Sequence, residues 1–560
     1  MMAKKAPILQ GQQVAILFFV ILFAVVVVRS AWLNDDAYIT FRTVDNFANG
    51  YGLTWNPDER VQAYTHPLWM FLLAGVYSLT QEIFYSSQWL SIGISTLTVL
   101  FIAGRIAPSP AAAVLTLLIF IFSKAFIDYS TSGLENPLTH LLLAVFLFVY
   151  FRPHRDESPR LFWLALLAAL GLLNRLDTAL FYFPPLLWVI WQSRHQRPFI
   201  PLVTGFLPLL FWEIFSIIYY GFPLPNTAYA KAVYAGIPTN DLARQGLLYL
   251  QNSLKWDPIT LLVIAIALLI TLWQFSHSLR NNPASDRLKS IAVALGILFY
   301  LLYVIKIGGD FMSGRFLTAP LLVAVILLVN VHPPGGFLSS KAVEREPPGG
   351  FFTRGAERLL LLLEANLRFR KVGWLTAALL LTILGLTSKE PALLNGPDFG
   401  SRPQDEDHIR DEDIADERLY YYPFTGLLNP QRQPHPWQEQ GQEIHDQGPP
   451  VLEHGNIGFL GFHAGPHIHI VDRNGLADPL LARLPARDSQ DWRIGHFRRN
   501  VPSGYTEGFF TGQNLIHPPE LALYYENLST VIRGDLWTKV RWLEIWRFNT
   551  GQYDALLTSQ

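Results

Sequence analysis

The chain has 560 residues, of which 51% are hydrophobic, 14% are aromatic and only 16% are charged. Charged residues make up about a quarter of an ordinary soluble domain, so this composition excludes a purely soluble protein. The net charge of −1 gives no electrostatic basis for binding nucleic acid, and the lack of cysteine excludes disulfides, thiolate metal ligands and a cysteine nucleophile.

The first hydrophobic run covers residues 14–28 and follows Lys4 and Lys5. It is long and lacks a small-residue cleavage site, so we expect a retained membrane anchor with the N-terminus inside. The run leads into the string NDDAYITFR, which places Asp35 and Asp36 at the outer membrane surface. Ionisable residues are costly there and indicate a functional site, although one of the two could simply cap the following helix.

The later loops alternate in charge, which predicts their sides of the membrane. Three short basic loops are expected inside, at 152–160, 192–198 and 277–289. The loops expected outside, on the side of the two aspartates, are 131–137, 174–177, 221–257 and 306–315. These sides are consistent only if the apolar segment 67–80 does not cross the membrane. It has 14 residues, fewer than the roughly 17 a spanning helix needs, so we predict a juxtamembrane helix.

This reading gives a polytopic α-helical membrane protein with about eleven transmembrane helices. Its membrane domain covers residues 1–387 and includes an outer first loop at 34–87. A cytoplasmic loop with one amphipathic helix is expected at 333–371, followed by a last span at 374–386. Residues 388–560 are more polar and contain the alternating string HIHIV, so we predict an extracytoplasmic α/β or α+β soluble domain.

Polar residues at the predicted outer ends of the helices form the candidate site. They are Asp35, Asp36, Arg42, His66, Glu135, Asn174, Arg175, Asp177, Asn226, Lys231, Asp310 and Arg315, with Tyr64 and Trp69 as aromatic rings that could stack on a sugar. A carboxylate can take a proton from a hydroxyl, and fixed cations can stabilise a phosphate leaving group. Lys231 and Arg315 are the phosphate candidates. Glu135 could bind an acceptor hydroxyl or only favour a helix N-terminus, and Arg175 with Asp177 could be an internal salt bridge.

Three histidines in the C-terminal segment, His463, His467 and His469, raise the question of a metal site. Residues 467 and 469 would share one face of a strand, but no third ligand follows at a diagnostic spacing. We therefore expect these histidines to pack beside strand residues or to line an acceptor groove. Asp472, Asp478, His496 and Arg498 are expected to serve structure or acceptor binding.

An ordered set of strings gives the chain a resemblance to a known class of enzymes. The strings are NDDAYITFR, GLTWNPDERVQAYTHPLW, SGLENPL, LNRLDT, YYGFPLPNTAYAK and IGGDFMSGR, followed by VLEHGNIGFLGFHAG, VDRNGLADPLLARLP and GHFRRNVPSGY. In this order they resemble the GT-C glycosyltransferases that use polyprenyl-phosphate sugars, and among them the AftB-type arabinofuranosyltransferases of mycobacteria. The resemblance covers nearly the whole chain.

The resemblance implies a GT-C fold in the inner (plasma) membrane of a bacterium, with the active site and C-terminal domain outside the cytoplasm. It implies a polyprenyl-phosphate-linked sugar donor, a cell-envelope glycan acceptor, contact with membrane lipids, and catalysis by an acidic residue of the first loop. That residue corresponds to Asp35 or Asp36, and we favour Asp36, since adjacent residues on a helix point in different directions. The predicted substrate-binding residues are His66, Tyr64, Glu135, Arg175, Asp177, Asn226, Lys231, Asp310 and Arg315.

Several alternatives stay open at this point. The donor could carry another lipid-phosphate-linked sugar, or the protein could be a flippase or transporter of lipid-linked glycans, although no half-repeat typical of transporters is visible. One-step transfer would invert the anomeric carbon, whereas the resemblance implies net retention, which a carboxylate nucleophile would explain. The sequence assigns no cofactor, and a divalent cation held by the carboxylates stays open.

Overall fold

A computed structural model describes residues 6–153, 157–195, 198–278, 285–330, 376–389, 391–394, 410–487 and 492–557. The predicted cytoplasmic loop at 333–371, with its amphipathic helix, lies outside the described residues.

Helices dominate the first part of the chain. They are α1 (Ala6–Ser30), α2 (Asp35–Ala48), α3 (Pro67–Thr80), α4 (Phe84–Phe101), α5 (Pro110–Phe122), α6 (Lys124–Asp128), α7 (Asn136–Phe151), α8 (Glu157–Asn174), α9 (Ala179–Gln192), α10 (Phe199–Tyr219), α11 (Asn226–Ala228), α12 (Thr239–Trp256), α13 (Pro258–Ser278), α14 (Ser285–Lys306), α15 (Thr318–Asn330) and α16 (Thr376–Thr387).

In the described part of the chain, five helical segments are long and apolar enough to cross a membrane: Gly11–Ser30, Phe84–Ile106, Phe199–Tyr219, Pro258–Ser276 and Leu288–Lys306. Five shorter apolar helices accompany them: Pro67–Thr80, Pro110–Phe122, Asn136–Phe151, Arg315–Asn330 and Thr376–Thr387. The membrane α-helical class is therefore confirmed, and the count of eleven crossings stays a prediction. The segment 67–80 is a helix of 14 residues, and its juxtamembrane position is likewise a prediction.

Small residues let the membrane helices approach one another closely. A Cβ atom on Gly205 of α10 would lie 2.5 Å from the Cβ of Ala165 on α8 and 2.8 Å from the carbonyl oxygen of Phe162. On the other side of α8, a Cβ on Gly171 would lie 2.3 Å from the ring of Tyr182 on α9. Close approach of this kind is how helices associate in lipid, where no hydrophobic effect drives them together. The contacts at Gly171 and Gly205 therefore hold α8, α9 and α10 together as one packed layer.

The first loop folds back onto the turn before α7. The backbone N–H of Asn34 donates to the carbonyl oxygen of Ser132 at 3.0 Å. Gly133 has φ +79°, and a Cβ there would lie 2.7 Å from the Cβ of Ala37. Only glycine fits this position, because it combines a left-handed backbone with close contact to α2. The start of α2 is therefore fixed against the turn that carries Glu135.

The C-terminal segment is richer in helix than predicted. Its helices are α17 (Glu417–Thr425), α18 (Pro436–Gln447), α19 (Phe459–Ala464), α20 (Tyr505–Thr511), α21 (Pro519–Arg533) and α22 (Lys539–Asn549). The strands in the described residues are β1 (Arg410–Asp411) antiparallel to β2 (Ile414–Ala415), and β3 (Val451–His454) parallel to β4 (His469–Asp472). The α/β or α+β architecture of this segment stays a prediction, since the strands of the described residues form only two small two-stranded sheets. His467 precedes β4, so the prediction that His467 and His469 share a strand face is wrong.

This segment packs directly on the membrane part of the chain. Lys124 of α6 forms a buried ion pair with Asp416 at 2.9 Å, and Asp128 of the same helix pairs with Arg418 at 2.7 Å. Buried charges are stable only when paired, so these contacts strongly disfavour separation of the two parts. The rings of Tyr38 of α2 and Phe459 of α19 pack at a tilt with their centroids 4.4 Å apart in a shared hydrophobic core.

Candidate active site at the start of helix α2

The two adjacent aspartates of the first loop occupy different environments at the start of α2. Asn34 is the N-cap of this helix, because its Oδ1 accepts a hydrogen bond from the backbone N–H of Asp36 at 2.6 Å. Asparagine is among the strongest N-cap residues. The hypothesis that Asp35 or Asp36 caps the helix is therefore wrong, and both carboxylates are free for other contacts.

Asp35 points into the C-terminal segment. Its Oδ1 accepts a hydrogen bond from the backbone N–H of Phe459 at 2.7 Å. Gly458 approaches so closely that a Cβ there would lie 2.0 Å from the Asp35 carbonyl oxygen. Burial raises the pKa of Asp35 to about 7, with the hydrogen bond from Phe459 opposing and the charge of Asp36 adding to the rise.

Asp36 is half-buried and faces a group of charged residues. Burial raises the pKa of Asp36 above its ordinary value, the cations Lys231 and Arg315 oppose that rise, and Asp310 and Glu135 add to it. Four charged residues from three of the predicted outer loops therefore act electrostatically on one carboxylate. The structure brings these residues together, as the sequence predicted.

Glu135 is the centre of a buried ion-pair cluster at the start of α7. Its carboxylate lies 2.8 Å from Arg175 Nη1, 3.1 Å from Arg315 Nη2 and 3.4 Å from His66 Nδ1. Burial alone would raise the pKa of Glu135, but Arg315, His66 and Arg175 together lower it below its ordinary value. Glu135 is therefore a fixed anion that orients the cations around it, and it makes no side-chain cap to α7.

The other members of this cluster extend it towards α14. Arg175 binds Asp177 through two hydrogen bonds of 2.7 and 2.9 Å, and the Tyr300 hydroxyl donates to the same carboxylate at 3.2 Å. Asp310 lies 3.5 Å from Arg315, whose buried Nε has no partner among the described residues. Arg315 is thus held between two carboxylates, those of Glu135 and Asp310.

A cavity of about 760 Å³ opens beside the two aspartates. The first loop contributes Asn34, Asp35 and Asp36, and the C-terminal segment contributes most of the remaining lining. That remainder includes the aromatic residues Tyr420, Tyr421, Trp437 and Trp492 and the arginines Arg410, Arg487, Arg493 and Arg498. Aromatic rings beside hydrogen-bond donors can hold a sugar. A second cavity of about 520 Å³ shares Trp437, Asn456, Arg487 and Arg498 with the first and extends it.

Glu417 is a site residue that the sequence analysis missed. It lines the larger cavity and is buried, and burial raises its pKa to about 8, with Arg493 opposing and Asp36 and Asp310 adding to the rise. Its position in an acidic run, DEDHIRDEDIADER, is typical of a solvated surface. The signal in the sequence is the aromatic run LYYYPF, which follows Glu417 and Arg418 within helix α17.

Two predicted substrate-binding residues are instead fully engaged inside the protein. Asn226 donates through Nδ2 to three backbone carbonyl oxygens between residues 475 and 478 at 3.0 to 3.2 Å, and its Oδ1 accepts from Arg483. Tyr64 is buried, and its hydroxyl lies 2.8 Å from that of Tyr220. Neither residue lines the cavity beside Asp36.

Arg42, His66, Asn174 and Trp69 also have internal partners. Arg42 donates to the backbone carbonyl oxygens of Trp55, Gly461 and Ile468. His66 Nε2 lies 2.9 Å from Thr40 Oγ1, and burial lowers the pKa of His66 to about 4, so its imidazole is neutral near pH 7. Asn174 donates to Thr139, and the Trp69 indole donates to the Gly133 carbonyl. These four residues support the loops around the site.

The possible metal ligands differ from those considered in the sequence. Within the described residues, Asp58, Glu59 and His469 are the one group whose ligand atoms come within 4.8 Å of one another. Arg533 lies 3.2 Å from both carboxylates, so a guanidinium occupies the position of a cation. The ring of His463 packs near Tyr38, and that of His467 packs near Tyr51.

Comparisons with known proteins indicate the class of the protein. Residues 65–218 match the family model described as dolichyl-phosphate-mannose-protein mannosyltransferase. The chain is 28% identical over 551 residues to a terminal β-(1→2)-arabinofuranosyltransferase of Mycobacterium tuberculosis, covering 84% of this chain and 81% of the relative. It is 26% identical over 555 residues to the enzyme of the same name from Corynebacterium glutamicum, covering 86% of this chain and 76% of that relative. No solved structure matches the chain.

The similarity to these relatives extends through both the membrane helices and the C-terminal segment. The apolar helices, the family match and the two relatives agree on one class of enzyme. The chain is a membrane glycosyltransferase that is similar to the GT-C family and to the terminal β-(1→2)-arabinofuranosyltransferases.

Proposed function

We propose that the protein transfers arabinofuranose from a polyprenyl-phosphate donor to a hydroxyl of an extracytoplasmic glycan, with Asp36 as the catalytic carboxylate. The sugar is taken from the names of the two relatives, and the lipid phosphate from the resemblance and the family match. The observation that carries the proposal is the position of Asp36, which borders a large polar cavity and is acted on by Lys231 and Arg315.

The arrangement separates an acceptor side from a donor side. On the acceptor side, the cavity of about 760 Å³ has room for several sugar units and is lined by aromatic and arginine side chains. On the donor side, Lys231 and Arg315 would hold the phosphate. An apolar cavity of about 330 Å³ between α3, α8 and α10, lined by Pro67, Phe71, Trp212 and others, would receive part of the prenyl chain.

In the proposed step Asp36 accepts the proton of the acceptor hydroxyl. The hydroxyl oxygen forms a bond to the anomeric carbon, the bond from that carbon to the phosphate oxygen breaks, and the polyprenyl phosphate leaves as an anion. Lys231 and Arg315 stabilise the charge that develops on the leaving oxygen. Asp35 is held by the backbone of Phe459 and positions the first turn of α2.

This single displacement inverts the anomeric carbon. A two-step route, in which a carboxylate first forms a glycosyl-enzyme bond, would retain the configuration. Comparing the anomeric configuration of donor and product by NMR distinguishes the two routes.

The substrate proposal is tested by a donor screen. Purified protein in lipid nanodiscs is given polyprenyl-phosphate arabinofuranose, mannose, glucose or galactose together with an arabinose-containing oligosaccharide acceptor. We expect transfer from the arabinofuranose donor and little or none from the hexose donors. Efficient transfer of a hexose without transfer of arabinofuranose would show that the donor carries that hexose. If the folded protein transferred sugar from none of the donors, the proposed function would be contradicted.

A further inference from the structure

The last helix of the chain exposes large apolar side chains on one face. In and just before α22, Trp537 is 73% exposed, Val540 62%, Leu543 47% and Trp546 64%. Single exposed apolar residues are common on protein surfaces, but a contiguous group of this size indicates an interaction surface.

Helix α22 exposes apolar residues along one side and buries residues of the other side. Residues 540, 543 and 546 follow one another at intervals of three and therefore lie along one side of the helix, with exposed Lys539 at its border. The opposite side contains Arg541, Glu544 and Ile545, which are buried. No described part of the chain covers the apolar face.

The position of α22 shows what lies next to that face. Arg541 donates through Nη1 to the carbonyl oxygen of Ile218 at 2.8 Å and through Nη2 to that of Tyr219 at 3.0 Å. These carbonyls belong to the last turn of α10, where helix carbonyls have no partner within the helix. Asn549 extends the contact by donating to the Gly221 carbonyl oxygen at 2.8 Å.

Helix α10 is itself one of the five segments long and apolar enough to cross a membrane. Its side chains Leu210, Phe211 and Ile214 are exposed, so lipid is the medium that they meet in the cell. Helix α22 therefore lies against the end of a lipid-facing helix, at the level where a bilayer changes from hydrocarbon to headgroups. Tryptophan is enriched at that level, because its ring is apolar and its indole N–H is polar.

We propose that α22 is an interfacial helix that seats the C-terminal segment on the lipid bilayer. Trp537, Val540, Leu543 and Trp546 enter the boundary between headgroups and acyl chains, and Lys539 reaches the lipid phosphates. This contact fixes the height of the C-terminal segment above the membrane. It is independent of the sugar transferred and of the catalytic assignment.

The natural lack of cysteine makes the test direct, since every introduced cysteine is unique. The variants V540C, L543C and W546C are spin-labelled in the full chain reconstituted in phosphatidylcholine–phosphatidylglycerol liposomes. The matched control is L523C on α21, where Leu523 is 49% exposed and belongs to the same segment. Collision rates with oxygen, which partitions into lipid, and with a water-soluble nickel chelate are measured at each site.

We expect the ratio of oxygen to nickel collisions to be severalfold higher at the three α22 positions than at L523C. Ratios at the three α22 positions as low as that of a label free in water would mean that α22 faces water and would overturn the proposal. Labels on α22 that are immobilised and shielded from both reagents would overturn it in favour of a protein partner, including a second copy of this chain. Measuring three positions keeps the test valid if one variant fails to fold.

Discussion

Asn34 and Glu417 are joined by a hydrogen bond across 383 positions of the chain, with Asn34 Nδ2 donating to Glu417 Oε2 at 3.0 Å. The other side-chain atom of Asn34, Oδ1, accepts from the backbone N–H of Asp36. The C-terminal segment thus contributes a side chain that orients the cap of the helix on which the catalytic candidate lies. The site is incomplete without it.

This contact predicts a specific pH dependence. Glu417 has a pKa of about 8, so it is mainly protonated at pH 7 and becomes an anion near Asp36 as the pH rises through 8. An added anion opposes the charge developing on the leaving phosphate, so kcat/KM should fall above pH 8. E417Q, which stays neutral, should lose this decline while keeping activity at pH 7. E417A, which removes the partner of Asn34, should lower activity at every pH. A decline that persists unchanged in E417Q would contradict the role of Glu417.

Lys231 should control the protonation of Asp36. Because this cation lowers the pKa of Asp36, its removal should raise that pKa. Asp36 must be ionised to accept a proton, so K231M should lose activity on acidification at a higher pH than the unsubstituted protein. Its kcat/KM at neutral pH should fall by roughly 10²–10³, as expected for loss of a group that stabilises the leaving phosphate.

Suitable comparisons for K231M are K231R, which keeps the charge, and K255M, which removes a surface lysine paired with Asp411. Both should retain the normal acid limb of the pH–rate profile. A profile of K231M that falls at the same pH as that of K255M would show that Lys231 does not act on Asp36.

Gly458 should be required for the position of Asp35. In G458A the new methyl group would overlap the Asp35 carbonyl oxygen and displace the first turn of α2. A displacement of about 1 Å at reacting groups can reduce the rate roughly a hundredfold. The matched control is G455A, where the nearest atom to a new Cβ is Asn474 Nδ2 at 3.8 Å. Transfer rates and thermal stability are measured on both, and equal activity would show that the site tolerates this displacement.

Glu135 should matter for stability. E135Q leaves Arg175 and Arg315 without their shared buried anion, which should lower the free energy of unfolding by about 3–5 kcal/mol. E443Q, at an exposed position, should have little effect. Thermal unfolding in detergent compares the two variants. An unchanged melting temperature in E135Q would mean that the cations are paired elsewhere.

The gathering of the charged residues could be predicted from the sequence because membrane crossing restricts each loop to one side. Glu135, Lys231 and Arg315 are far apart in the chain, yet loop charge and the length of the spans placed them together. Local hydrogen bonding was harder to predict. Asn34, Asp35 and Asp36 are all good N-cap residues, and the backbone conformation of Asn34, φ −93° and ψ 154°, decides between them.

Long-range contacts could not be predicted from the pattern. Asn226 and Tyr64 are polar residues in outer loops, but residues 475–478 and Tyr220 satisfy their hydrogen bonds from distant parts of the chain. Glu417 is the opposite case, since an acidic residue in an acidic run is buried beside the site. Burial of this kind depends on how the C-terminal segment packs on the first loop. The hydrophobic periodicity of the sequence does not reveal that packing.

The most direct test of the account is the rate of sugar transfer by D36N, measured with purified protein, polyprenyl-phosphate arabinofuranose and an oligosaccharide acceptor. Removing a catalytic base should lower kcat by about 10²–10⁴ while the protein stays folded and still binds the donor. D35N, which keeps an oxygen able to accept from the Phe459 N–H, should lose less activity. Transfer at the unsubstituted rate by D36N and D35N alike would contradict the catalytic assignment.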